Sequence, residues 1–144
     1  MCFFVYLAAD KPLRMIEWNE TQPGFHVSDL VETEQQVKCQ FNKKYVVCAG
    51  AYEGCGCGFQ YGEYGPENYE PEKWNQGLRS VEQFSEYLRD EIRRVGTIEL
   101  FACWSGDQVS SPEHHRTLTP GSLMVPGFFF LQKELSTIVE DAAG

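Results

Sequence analysis

The chain has 144 residues, 42% hydrophobic and 23% charged, the proportions of an ordinary globular protein and a length that fits one domain over 1–144. Twelve Lys and Arg stand against 21 Asp and Glu, a net charge of -9, which repels phosphate and sets aside nucleic acid and anionic membrane as partners. No apolar run approaches the ~18–20 residues of a membrane span, and the N-terminus lacks the basic leader of a signal peptide. The expectation is a cytoplasmic protein whose six cysteines stay reduced.

The apolar run Cys2 to Ala9 reads as a buried strand ended by Asp10-Lys11-Pro12. Leu13 to Trp18 is read as a short extended continuation. After a turn at Gln22-Pro23-Gly24, residues 25–30 alternate apolar and polar, a half-buried strand in which His26 faces away from Phe25 and Val27. Thr33 with Gln36 has capping-box spacing and Val37 with Phe41 stands at i, i+4, which predicts a short helix over about residues 34–41. Tyr45 to Gly50 is the next strand. It leads within five residues to Gly54-Cys55-Gly56-Cys57-Gly58-Phe59.

Residues 60–77 hold Gly62, Gly65, Pro66, Pro71 and Gly77 among Tyr61, Tyr64, Tyr69 and Trp74. They show no period and read as a long loop packed through its aromatics. Ser80 is expected to cap the clearest helix, whose apolar stripe is Val81, Phe84, Leu88, Ile92 and Val95, with Asp90 and Arg94 spaced to pair and Gly96 to end it. Thr97 to Trp104 is a strand stopped by Ser105-Gly106-Asp107. A polar loop over 108–119 follows, and a last strand starts at Gly127-Phe128-Phe129-Phe130-Leu131 and runs towards Leu135. The fold class is α/β (or α+β), a single mixed sheet of four to five strands with two main helices, both suited to crossover connections.

Glycine inside an element costs about 0.5–1 kcal/mol against alanine, so three of them around Cys55 and Cys57 mark a local need. On extended chain, residues i and i+2 face one side, which brings both thiols together. A tetrahedral zinc needs four ligands and the motif supplies two. The others would come from Cys48, Cys103, His114 or His115, and the candidate metal set is Cys55, Cys57, Cys48, Cys103 and His115. Adjacent histidines on extended chain point apart, so one of His114 and His115 at most serves a given centre. A single Cys-x-Cys pair is weaker than two paired clusters, and small buried thiols in a Gly-rich bulge are the alternative.

A disulfide between Cys55 and Cys57 would close a very small strained ring, which suits redox exchange better than a staple. Cys2 after removal of Met1 would carry a free α-amine beside its thiol, the arrangement of an N-terminal nucleophile. The plainer reading is a buried cysteine at a strand end. Cys39 and Cys48 read as core, and Trp104 and Asp107 as strand-end candidates. Glu63, Glu67, Glu70 and Glu72 lack the spacing of a calcium loop.

The segments Met1-Cys2-Phe3-Phe4-Val5-Tyr6-Leu7-Ala8-Ala9-Asp10-Lys11-Pro12-Leu13 and Tyr52-Glu53-Gly54-Cys55-Gly56-Cys57-Gly58-Phe59, with Cys103-Trp104 and the C-terminal strand, resemble a group of small bacterial proteins over most of the chain. The resemblance implies a bacterial cytoplasmic protein and no particular chemistry. Three functions follow from the residues. The first is a thiolate site for a thiophilic metal, zinc foremost. The second is an acidic, non-enzymatic interaction domain that meets a protein partner, or its own copy, through the 60–77 loop. The third is a thiol-dependent enzyme with Cys2 or Cys55 as nucleophile.

Overall fold

The structure, a computed structural model, describes residues 2–142. Phe3–Ala9 forms strand β1, and every residue of it but Phe4 is buried. A strand buried on both faces needs a layer on each side and a neighbour on each edge. Among the described residues the other strands are β2 (His26–Asp29), β3 (Tyr45–Gly50), β4 (Ile98–Trp104), β5 (His114–Leu118) and β6 (Glu134–Ile138). They make one mixed sheet in the order β2-β3-β1-β4-β6-β5, antiparallel except for the parallel pair β5–β6. The fold is mixed α/β, as expected, but with six strands where four to five were predicted.

The period-2 alternation of β1 sorts its side chains between two cores. Phe3, Val5, Leu7 and Ala9 join Val47, Ala49, Leu100 and Ala102 on one face, under helix α1 (Pro71–Val95). Tyr6 and Ala8 face the other way with Val46, Phe101 and Cys103, under a 3₁₀ helix at Glu32–Gln40 that contributes Val37. A small polar network ties that second layer down. The Tyr6 hydroxyl donates to Glu34 Oε2 at 2.7 Å, and Glu34 Oε1 accepts the Val31 N–H at 3.1 Å.

The predicted stripe of α1 is buried throughout, and Phe84 stacks between Phe25 at 5.1 Å and Phe59 at 4.8 Å. The helix begins at Pro71, nine residues before the expected cap. Proline at the first helical position costs nothing, because its missing N–H is unpaired there anyway, so a residue read as a loop breaker is the start signal. Ser80 is instead a buried mid-helix residue whose hydroxyl accepts the Tyr52 N–H at 3.1 Å. Gly77 is tolerated inside the helix because Tyr61 lies against it: a Cβ there would sit 3.1 Å from the tyrosine Cβ. Arg94 pairs with Glu91, not Asp90.

β3 and β4 are both antiparallel to β1 and therefore parallel to each other, so α1 is a crossover connection spanning β1. The 32–40 segment is not one, since β2 and β3 are antiparallel neighbours. It is also a 3₁₀ helix with Glu34, not Thr33, taking the entry amide. Two further expectations fail at the far edge. The polar stretch 108–119 contains β5, and the aromatic run at 127–131 is not a strand. Gln60 bonds both the carbonyl (2.7 Å) and the N–H (2.8 Å) of Phe130, replacing the ladder partner that a strand would supply. The last strand starts only at Glu134, whose buried carboxylate is held by Arg116 and the Leu131 N–H.

Truncating Phe84 to alanine removes the ring on which Phe25 and Phe59 both pack. Phe84→Ala is expected to lower unfolding free energy by about 3–5 kcal/mol in urea titrations. A loss under about 1 kcal/mol would show that α1 is not docked on the sheet as described.

Candidate functional site: a thiol pair at the open end of the central strand

β3 pairs with β1 only from Val5 to Ala9, which leaves Phe3 without a β3 neighbour. The Gly-rich motif fills that place. Beyond Gly50 the chain turns back, with the Ala51 N–H on the Cys55 carbonyl at 2.7 Å and the Gly54 N–H on the Ala51 carbonyl at 2.9 Å. Gly54 holds φ +92°, a value that side-chain-bearing residues rarely adopt. Gly56 runs so close to β1 that a Cβ on it would lie 2.8 Å from the Phe3 carbonyl oxygen. The glycines thus answer a packing need: they let the chain press against β1.

The cysteines are not needed for that packing. Phe3 donates its N–H to Cys57 Sγ at 3.2 Å, so a sulfur accepts the bond that a strand carbonyl would otherwise take. Cys55, half-buried, stands two residues before Cys57, and Cys2 at the start of β1 is exposed. Burial above all, with these neighbouring sulfurs, pushes the Cys55 thiol up to about 12.

The remaining residues of the candidate metal set lie elsewhere. Cys48 and Cys103 belong to the smaller core on the other face of the sheet. Burial is the main cause that raises each to about 12; Glu34 and Cys55 add to it for Cys48, and Asp107 and Glu34 for Cys103. His114 and His115 open strand β5 at the sheet edge and face opposite ways. His115 lines a shallow cleft with Asn42 and Glu99, and His114 a different one with Phe3 and Trp104. Among the described residues, no three or more His, Cys, Asp or Glu side chains form a group that could hold a metal ion. The thiol pair is therefore not extended to a four-ligand centre by Cys48, Cys103 or His115.

Other candidates have structural partners. Asp107 closes a turn, accepting from the Ser110 hydroxyl at 3.2 Å. His26 is buried against Gly50 with its Nδ1 3.1 Å from the Gly24 carbonyl. Cys39 is exposed, not core, because the 3₁₀ helix turns it outward. Cys2, expected to be a buried strand-end residue, is exposed as well. No family model matches this chain, and no curated protein or solved structure matches it either. No helix among the described residues is long and apolar enough to cross a membrane.

A thiol raised to about 12 is protonated at neutral pH, which weighs against Cys55 as an activated nucleophile. It also couples stability to pH. Cys48, Cys55 and Cys103 ionise later in the folded chain than in the unfolded one, so their contribution is complete below about 9 and is lost as pH rises towards about 12. Buried Tyr6 and Tyr87, raised chiefly by burial, act in the same direction. The urea midpoint is expected to fall clearly between pH 8 and roughly pH 10.5. An unchanged midpoint across that range would contradict the burial of these groups.

Proposed function

We propose that the chain is a metal-binding protein whose Cys55 and Cys57 thiolates hold a soft, thiophilic cation, with Cu(I) the best-fitting ion. The observation that carries this reading is the Phe3 N–H donated to Cys57 Sγ at 3.2 Å, with the half-buried Cys55 two residues before it. Backbone N–H groups directed at sulfur are among the outer contacts that orient metal ligands. Zinc, the ion first expected, is usually held in a tetrahedron of four ligands, and the described residues present no group of that size. Soft thiolates select Cu(I), and a two-coordinate ion needs no further ligand from Cys48, Cys103 or His115.

Binding replaces the two thiol protons: Cu(I) adds to both sulfurs and two protons leave to solvent, with no change of oxidation state. Affinity should therefore rise with pH, by up to about a hundredfold per unit while both thiols are protonated in the free protein. The acidic surface, at a net charge of -9, favours cation approach.

Anaerobic titration with Cu(I) against a competing chromophoric chelator is expected to give one equivalent per chain. Cys55→Ser and Cys57→Ser should each weaken binding by about a hundredfold or more, with unchanged circular dichroism, and Cys39→Ser should not alter it. Zinc should bind far more weakly. Less than a tenth of an equivalent of Cu(I), or serine variants that bind like the parent, would overturn the proposal.

A further inference from the structure

A second feature at the same end of the sheet does not involve the thiols. The segment 60–64, the end of β4, the start of β5 and the stretch 129–132 enclose a cleft of about 300 Å³. Its aromatic lining comes from Tyr64, Trp104 and Phe129, with the buried rings of Phe3 and Phe130 behind them; Glu63, Glu113 and His114 are its ionisable groups. Phe3 is wholly buried and meets Trp104 edge to face at 5.3 Å, so these two walls are fixed. Gln60 is committed to both backbone groups of Phe130, which holds the 129–131 stretch in place without becoming available to a ligand.

Tyr64 is the part that the fold does not explain. It is 61% exposed, the most exposed large apolar side chain in the structure's described residues, yet it stands at the mouth of an aromatic cleft. Charge is one-sided there as well. None of the lining residues is Lys or Arg. The nearest cations are already engaged: Arg116 grips Glu134 and lies over Phe128 at 5.1 Å, and Lys133 reaches Glu113 at 3.3 Å. Glu63 has no cationic partner among the described residues.

Aromatic faces attract cations through their quadrupole, and carboxylates at the rim add a direct charge. An anion would face the unpaired Glu63 carboxylate and an acidic protein, and a neutral apolar ligand would leave Glu63 unused. We infer that this cleft binds an alkylammonium group, a positively charged nitrogen on a short apolar stem. Two sources present that group: a free amine and a lysine side chain of a partner protein. The 60–64 wall belongs to the long segment whose aromatics single it out in the sequence, and ligand contact gives exposed Tyr64 and Glu63 a role.

The test follows backbone and indole resonances of the protein, apo and reduced, by NMR during titration with n-butylammonium, with n-butanol as the neutral isostere. Saturable shifts are expected at the Trp104 indole and at residues 60–64 and 129–132, with n-butanol at least about fivefold weaker. Glu63→Gln and Tyr64→Ala, both exposed positions that leave the core intact, should each weaken the amine by about threefold or more. An acetylated Gly-Lys-Gly amide separates the sources. Tighter binding than n-butylammonium indicates a partner lysine, and weaker binding a free amine. No saturable shift at the cleft, equal binding of n-butanol, or variants that bind like the parent would overturn the inference. Because neither Cys55 nor Cys57 lines this cleft, its failure is distinct from failure of the metal site.

Discussion

Everything in this structure hangs on β1 and on the mismatch between its two neighbours. β4 pairs with it from Phe3 to Ala8, whereas β3 pairs only from Val5 to Ala9. The unpaired corner at Phe3 must find a hydrogen-bond acceptor, because a buried amide without one costs roughly 1–3 kcal/mol. The chain meets that need with a sulfur. The tight return at 51–55 and the glycine at 56 bring Cys57 to the Phe3 N–H, and Cys55 comes with it. A constraint on strand pairing thus gathers thiols at the sheet's open end.

Phe3 also explains why two candidate sites adjoin. Its backbone amide serves the thiol pair and its ring forms a wall of the aromatic cleft. Packing on that ring by Trp104 fixes the cleft, and the larger core beneath α1 fixes Phe3. Charge works in one direction for both sites. An acidic surface raises the local concentration of cations, metal or organic, and lowers that of phosphates.

The sequence made the centre of the fold plain and the edges obscure. Strands β1 and β3 are uninterrupted apolar runs, β4 is one broken only by Glu99, and the α1 stripe has a clean helical period, so hydrophobic pattern alone identifies them. β5, His-His-Arg-Thr-Leu, is an exposed edge strand whose polar composition carries no such signal. The Phe-rich run at 128–130 misleads for the opposite reason: it is apolar because it packs into the core from a loop, with Gln60 in place of a strand. Pro71 opens a helix, though in a segment dense in Gly and Tyr it looks like a breaker. For the site, the motif and its glycines were legible, while the partners were not. Which thiol meets which depends on register, and the one-residue alternation of β3 and β4 sends Cys48 and Cys103 to the opposite face from Cys57.

The proposed metal-binding element is the Cys55–Cys57 pair and not a larger centre. X-ray absorption at the copper edge of the Cu(I)-loaded protein reports the number and type of ligands directly. Two sulfur scatterers and no nitrogen or oxygen are expected in the shell. Four ligands, or a shell containing imidazole, would contradict it and return Cys48, Cys103 or His115 to the centre.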